Sequence, residues 1–332
     1  MSLRRVLGLT LGAAALLLLA AWLLMTQPSL PGGRPATSAP GADAARLEAD
    51  VRVLSTRLLP RDFEHPAGLD RAAAYIKGRL AEAGGKVSEQ VYTFTEWDRR
   101  NRKVERGPYR NVIASFGPDT EELLVVGAHY DAYGSLPGAD DNASGVAGLL
   151  ELARLLGGRP PALRTELVAF TLEEPPQFGG ADMGSARYAA ALKSRGARLR
   201  AMLALEMIGR FSDQPGSQRY PLPLLRLFYP GRGDFAAVVG RGELNRAVKR
   251  AMRSASGLPV VSLAAPASLP GVDYSDHSSF WAQGYPAVMI TDTAFYRNPD
   301  YHTSQDTADR LDYRRMAQVV DGVSTAVLEL AR

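Results

Sequence analysis

The run Leu123-Leu124-Val125-Val126 contains no polar position, whereas a strand with one face in water alternates apolar and polar residues. A strand of this kind must be covered on both faces, and the architecture that does so is a mostly parallel sheet between layers of helices. The rest of the chain supplies the alternation such a sheet needs. Short β-type runs fall at residues 86–95, 110–116 and 123–128, followed by a helical pattern at 146–156. A strand at 165–171, a helix at 186–193 and a strand at 201–205 come next. Residues 225–229, 244–252, 259–263, 287–291 and 314–330 continue the alternation. Two helical patterns, 46–58 and 69–83, precede the first strand, and Gly84-Gly85 stops the second of them. Residues 215–230 and 264–274 are rich in turn formers and read as loops that shape a pocket. No internal repeat is present, so residues 45–332 read as one α/β domain.

The first 44 residues have another character. Residues 6–25 carry no charge, and about twenty apolar residues rising about 1.5 Å each span a bilayer's hydrocarbon core. No small-x-small site follows Met25, which favours a retained transmembrane anchor over a cleaved signal. Cleavage near Ala20-Ala21-Trp22 is the alternative, and it would give a secreted protein. Arg4 and Arg5 precede the apolar run, and positive charge stays on the cytoplasmic side. The catalytic part is therefore expected in the periplasm or outside the cell. Residues 26–44, rich in Pro, Gly and Ala, read as a flexible linker. The chain has no cysteine, so no disulfide supports the fold. Setting aside residues 1–44 turns 39 basic and 35 acidic residues into 36 and 34, too even a balance to point to nucleic acid.

Against this framework stands an ordered set of metal-type ligands. His129 is followed by Asp131, then by Gly138-Ala139-Asp140-Asp141-Asn142-Ala143-Ser144-Gly145, then by Glu173-Glu174 and finally by His302. Imidazoles and carboxylates hold a divalent ion, and a spare carboxylate moves a proton. The chain has only four histidines, at 65, 129, 277 and 302. His129, the pair Glu173-Glu174 and Glu206 each come just after an expected strand. The carboxyl ends of parallel strands share one edge of a sheet, and sites form there. The spacing from Asp140 to Glu151 also fits a calcium-binding EF-hand loop, but residues 133–138 cannot form the entering helix that an EF-hand requires. A serine-hydrolase reading lacks a Gly-x-Ser-x-Gly elbow.

Together with Gly127-Ala128-His129-Tyr130-Asp131, Glu206-Met207-Ile208-Gly209, Ser275-Asp276-His277 and residues 301–307, this set resembles the M28 zinc exopeptidases, from about residue 45 onward. The resemblance implies two zinc ions bridged by Asp141. His129 and Glu206 would complete the protein ligands of one ion, and Glu174 and His302 those of the other. Glu173 would be the general base and Asp131 the partner that orients His129. Tyr274 and His277 stand as substrate or oxyanion contacts, with a rim tyrosine and a structural histidine as the plain alternatives. Two departures mark this chain: Glu206 where many members have Asp, and Pro175-Pro176 where many have a glycine-containing turn.

The resulting expectation is a membrane-anchored di-zinc exopeptidase acting on peptides, most simply an aminopeptidase, with cobalt or manganese as alternative working metals. Two rivals share the fold: a glutaminyl-cyclase-like acyl transferase using one zinc, and a non-catalytic binding ectodomain.

Overall fold

The computed structural model describes residues 3–28, 41–97, 100–255 and 257–332. Among the described residues, eight strands form one sheet in the order β1-β2-β4-β3-β5-β8-β6-β7. They are β1 (Lys86–Trp97), β2 (Lys103–Phe116), β3 (Glu122–His129), β4 (Arg164–Phe170), β5 (Arg198–Glu206), β6 (Ala236–Gly240), β7 (Val260–Ala264) and β8 (Ala287–Thr291). The helices are α1 (Leu3–Thr26), α2 (Ala44–Arg52), α3 (Pro66–Glu82), α4 (Gly145–Gly158), α5 (Gly184–Ser194), α6 (Gly242–Ala255), α7 (His277–Ala282) and α8 (Tyr313–Leu330).

β3 lies inside the sheet, parallel to β4 on one side and to β5 on the other. Its side chains alternate between two cores, and both are apolar. Leu124, Val126 and Ala128 pack with the helices of one face, among them Leu149 of α4 and Val320 of α8. Leu123 and Val125 pack with Tyr188 and Leu192 of α5 and Phe280 of α7 on the other. Each such side chain contributes on the order of 1.5–3 kcal/mol by leaving water. Gly127 is required where β3 meets Phe170, because a Cβ there would lie 2.2 Å from the ring.

The sheet is mixed, with parallel pairings in the majority, as expected. β1 with β2, β2 with β4 and β6 with β8 run antiparallel, and the other four pairings are parallel. β1 alternates exposed and partly buried positions over its first residues, the pattern of an edge hairpin rather than of a covered parallel strand. Residues 225–229 are not a strand: Pro223–Leu227 is a 3-10 turn, and Pro221 and Pro223 have no N–H to offer a ladder. The helical pattern at 46–58 divides into α2 and a wide turn, Val53–Arg57.

Residues 29–40 of the expected linker lie outside the described residues. The described ends of that segment are both tied down. Lys249 Nζ donates to the carbonyls of Thr26 and Gln27, at 2.6 and 2.9 Å, and Ser262 Oγ donates to Thr26 O at 2.8 Å. At the other end the Ala42 and Asp43 amides donate to Asp321 and Glu151, both at 2.7 Å. α2 starts at Ala44, with Asp43 as its N-cap. α1 is long and apolar enough to cross a membrane over Leu9–Thr26, and it is largely exposed.

Candidate metal centre

β3, β4 and β5 end side by side, and the residues at and just beyond their ends converge. His129 closes β3, Glu173 and Glu174 come just after β4, and Glu206 closes β5. Asp141 arrives on the segment Ala139–Ser144 that leads into α4, and His302 on the loop after β8. Two groups of ligand atoms result: His129 with Glu173 and Glu206, and Asp141 with Glu174 and His302. Asp141 reaches both, because its Oδ1 lies 3.4 Å from His129 Nε2 and its Oδ2 lies 3.0 Å from His302 Nε2. Glu206 Oε2 is 3.4 Å from His129 Nε2, Glu173 Oε2 is 3.7 Å from it, and Glu174 Oε2 is 3.2 Å from His302 Nε2.

The site is buried, and burial pushes the carboxyl groups of Glu173 and Glu206 above their ordinary range and that of Glu174 to about 8. Burial acts on Asp141 in the same direction, but the imidazoles of His129 and His302 outweigh it and hold this carboxylate low. Burial would lower His302, yet Asp141 and Glu174 raise it to about 9. So many carboxylates in one dry site need positive charge. Both ring nitrogens of His129, Nε2 of His302 and Oε1 of Glu174 are buried without a hydrogen-bond partner. Nitrogen and carboxylate donors left open in this way fit a divalent ion such as zinc.

The backbone holds these groups in costly conformations. Leu172, Met207 and His302 adopt positive φ of 57°, 46° and 56°, each beside or at a site residue. Such positions cost on the order of 1–3 kcal/mol each and persist only where surrounding bonds enforce them. Asn142 supplies part of that enforcement: its Oδ1 accepts from the Met207 and Gly145 amides and its Nδ2 donates to Leu205 O.

Further supports surround the ligands. Asp131 lies 3.4 Å from His129 Nδ1, and its two oxygens also accept from the amides of Glu173 and Glu174, at 3.1 and 2.9 Å. It thereby sets both glutamates. Asp306 accepts from the amides of Asp140 and Asp141, and Ser275 Oγ donates to Glu206 Oε2 at 2.7 Å. Sequence reasoning gave neither residue a role, although Asp306 stands inside the histidine motif at 301–307 and is visible there as an acidic residue. Arg61, fully buried, donates to the carbonyls of Leu54, Tyr130, Pro137 and Gly138. No motif surrounds it in the sequence.

The two contact residues separate. Tyr274 is exposed at the mouth of an apolar cavity of about 90 Å³ that reaches Glu206 and is walled by Tyr229, Phe235, Leu263 and Met289. His277 is fully buried, its Nε2 bonded to Val272 O at 2.8 Å and its ring edge-on to Trp281. Burial lowers its pKa to about 4, which holds the ring neutral in this pocket. Another aromatic position emerges instead: Tyr133 stacks on His302 with ring centres 4.1 Å apart.

Known proteins resemble the chain in sequence and in fold. It is 48% identical over 295 residues to the Escherichia coli (strain K12) protein named Uncharacterized protein YfbL, covering 86% of this chain and 87% of that one. It is 31% identical to a probable leucine aminopeptidase of Trichophyton verrucosum (strain HKI 0517), covering 83% and 73%. In fold it is similar to BSAP, a zinc aminopeptidase from Bacillus subtilis, with a TM-score of 0.68 at 15% identity over 88% of this chain and 96% of that one. Porphyromonas gingivalis glutaminyl cyclase is similar as well, with a TM-score of 0.65 at 21% identity over 88% and 99%. The model of peptidase family M28 matches residues 111–327, a span that runs from β2 to α8 and contains every ligand position described above. The chain belongs to peptidase family M28.

Proposed function

We propose that this chain is a two-zinc aminopeptidase, anchored in a membrane by α1, with its catalytic domain on the non-cytoplasmic side. The observation that carries the reading is the pair of ligand groups joined by Asp141. His129, Asp141 and Glu206 would hold one ion, and Asp141, Glu174 and His302 the other. Bound there, the metal supplies a Lewis acid for the peptide carbonyl and makes a water acidic enough to attack at neutral pH.

The chain's own residues do the rest. Glu173, buried within the first group of atoms 3.7 Å from His129 Nε2 but not counted among the ion's holders, takes the proton of the attacking water and hands it to the leaving amine. Asp131 fixes the height of Glu173 by accepting from its amide, so base and ligand share one support. The apolar cavity next to Glu206 receives a large apolar side chain of the N-terminal residue. The leucine aminopeptidase relative is consistent with that preference. Arg4 and Arg5, ahead of the apolar helix, support the orientation across the membrane.

The test measures zinc per chain and hydrolysis of leucyl substrates with free and with blocked N-termini. Two zinc ions and a requirement for the free amine are expected. Glu173→Gln should keep its zinc and lose roughly 10²–10⁴ in rate. A variant that turns over at the wild-type rate refutes the mechanism. One zinc with cyclisation of N-terminal glutamine replaces it by the acyl-transfer reading, and a metal-free chain that binds a partner tightly replaces it by the ectodomain reading.

A further inference from the structure

The outer wall of the apolar cavity is the segment 220–229, whose two faces differ. Leu225 and Tyr229 turn inward and are buried. Leu222, Leu224 and Leu227 turn outward and are 50, 53 and 75% exposed. Three leucines exposed to this degree within six residues have no use in holding the cavity, because the inward residues already do that. Arg226 lies exposed among them.

The position of this segment is set by β7, an end strand of the sheet. Tyr229 donates its hydroxyl proton to Ser262 O at 2.8 Å, and Ser262 Oγ donates to Thr26 O, also at 2.8 Å. One residue of β7 thus ties the leucine segment to the last residue of α1. Lys249 of α6 closes the same helix end through the Thr26 and Gln27 carbonyls. Arg246 and Arg250, exposed on α6 on either side of Lys249, add positive charge around the place where α1 leaves the domain. Arg226 stands among the leucines, and Arg246 and Arg250 stand against the single exposed acid of α6, Glu243 in its first turn. Apolar tips and a net positive charge near the helix end match the boundary between anionic headgroups and acyl chains, where such faces sit about 5–10 Å deep.

We propose that Leu222, Leu224 and Leu227 form a second membrane contact, seated in the interfacial layer of the bilayer that α1 crosses. The inference rests on the reading of α1 as an anchor. It places the cavity wall on the membrane, with the β7 side of the sheet down and β1 up. Since strands lie about 4.8 Å apart, β1 stands roughly 30 Å from the surface.

The absence of cysteine makes the test direct. Full-length chains carrying Leu224→Cys, Leu227→Cys or, as a control on β1, Ser88→Cys are labelled with an environment-sensitive fluorophore. They are then reconstituted in phosphatidylethanolamine and phosphatidylglycerol vesicles containing nitroxide-labelled acyl chains. The labels at 224 and 227 should be quenched at least roughly threefold more than the label at 88, and less so when phosphatidylglycerol is omitted. Alkaline extraction of the same vesicles reads the anchor separately. Release of the chain defeats the anchor reading and this inference with it. Retention with equal quenching at all three positions defeats this inference alone. Emission changes at 224 and 227 that follow protein concentration but ignore the lipid quencher show a second copy of the chain on the leucines, and they also overturn it.

Discussion

Arg61 offers the sharpest test of what holds the centre in place. Its guanidinium donates from Nε to Tyr130 O, from Nη1 to Leu54 O and Pro137 O, and from Nη2 to Gly138 O, at 3.0, 2.9, 2.7 and 2.6 Å. Hydrogen bonds to a charged group contribute about 1.5–3 kcal/mol each, so four amount to roughly 6–12 kcal/mol. Burial opposes the charge and holds its pKa at about 10 against an ordinary value of about 12.5. Removing the charge therefore returns roughly 3 kcal/mol. Arg61→Met should lose about 3–9 kcal/mol, a large share of the roughly 5–15 kcal/mol typical of a folded domain. Arg61→Lys keeps a cation with three donors on one atom, which cannot reach four carbonyls spread around a planar fork. It should lose about 2–3 kcal/mol, less than Met. Urea unfolding of the full chain in mild detergent, followed by tryptophan fluorescence, reads both. If both variants fall within about 1 kcal/mol of wild type, or if Met is the milder change, the four bonds do not have the role assigned to them.

Other expectations are more local. Asp131→Asn accepts through one atom where the carboxylate uses two, so kcat should fall roughly ten- to a hundredfold with little change in KM, read from steady-state hydrolysis. Ser275→Ala removes the donor to Glu206 and should weaken zinc roughly ten- to a hundredfold in a chelator competition, without unfolding the chain. His277 is neutral in the native state with a pKa of about 4, whereas the unfolded chain binds a proton near pH 6.5. The unfolded state therefore holds more protons between these values, stability rises with pH, and roughly 3 kcal/mol is lost as pH falls from 6.5 to 4. His277→Gln should flatten that part of a melting-temperature profile against pH.

Apolar runs made much of the sheet readable. Residues 123–128 and 287–291 became β3 and β8 with little or no change of boundary, because strands covered on both faces have no polar interruption. Ligands placed after such runs converge for the same reason. β6 escaped notice because Ala236-Ala237-Val238-Val239-Gly240 is short and small, indistinguishable in sequence from a loop beside a helix. The antiparallel pairing of β6 with β8 is a property of connection and not of composition. Arg61 could not be found at all: its partners are backbone carbonyls, and any residue type has one. The nearness of Asp131 to His129 is legible in their spacing, but its hold on the glutamate amides depends on β3 and β4 being neighbours.

The sheet divides its labour across its width. The candidate ligands at or just beyond strand ends come from β3, β4 and β5, whereas the cavity is walled by β6, β7, β8 and the segments that join them. Among the ligands, Glu206 alone belongs to both halves. Selectivity and reactivity can therefore change independently in this architecture. On the proposed reading of the cavity, exchanging residues 218–229 for another sequence should alter which terminal residue is accepted and leave the two groups of candidate ligands as they are. A chain of this kind can acquire a new diet without relearning how to cut.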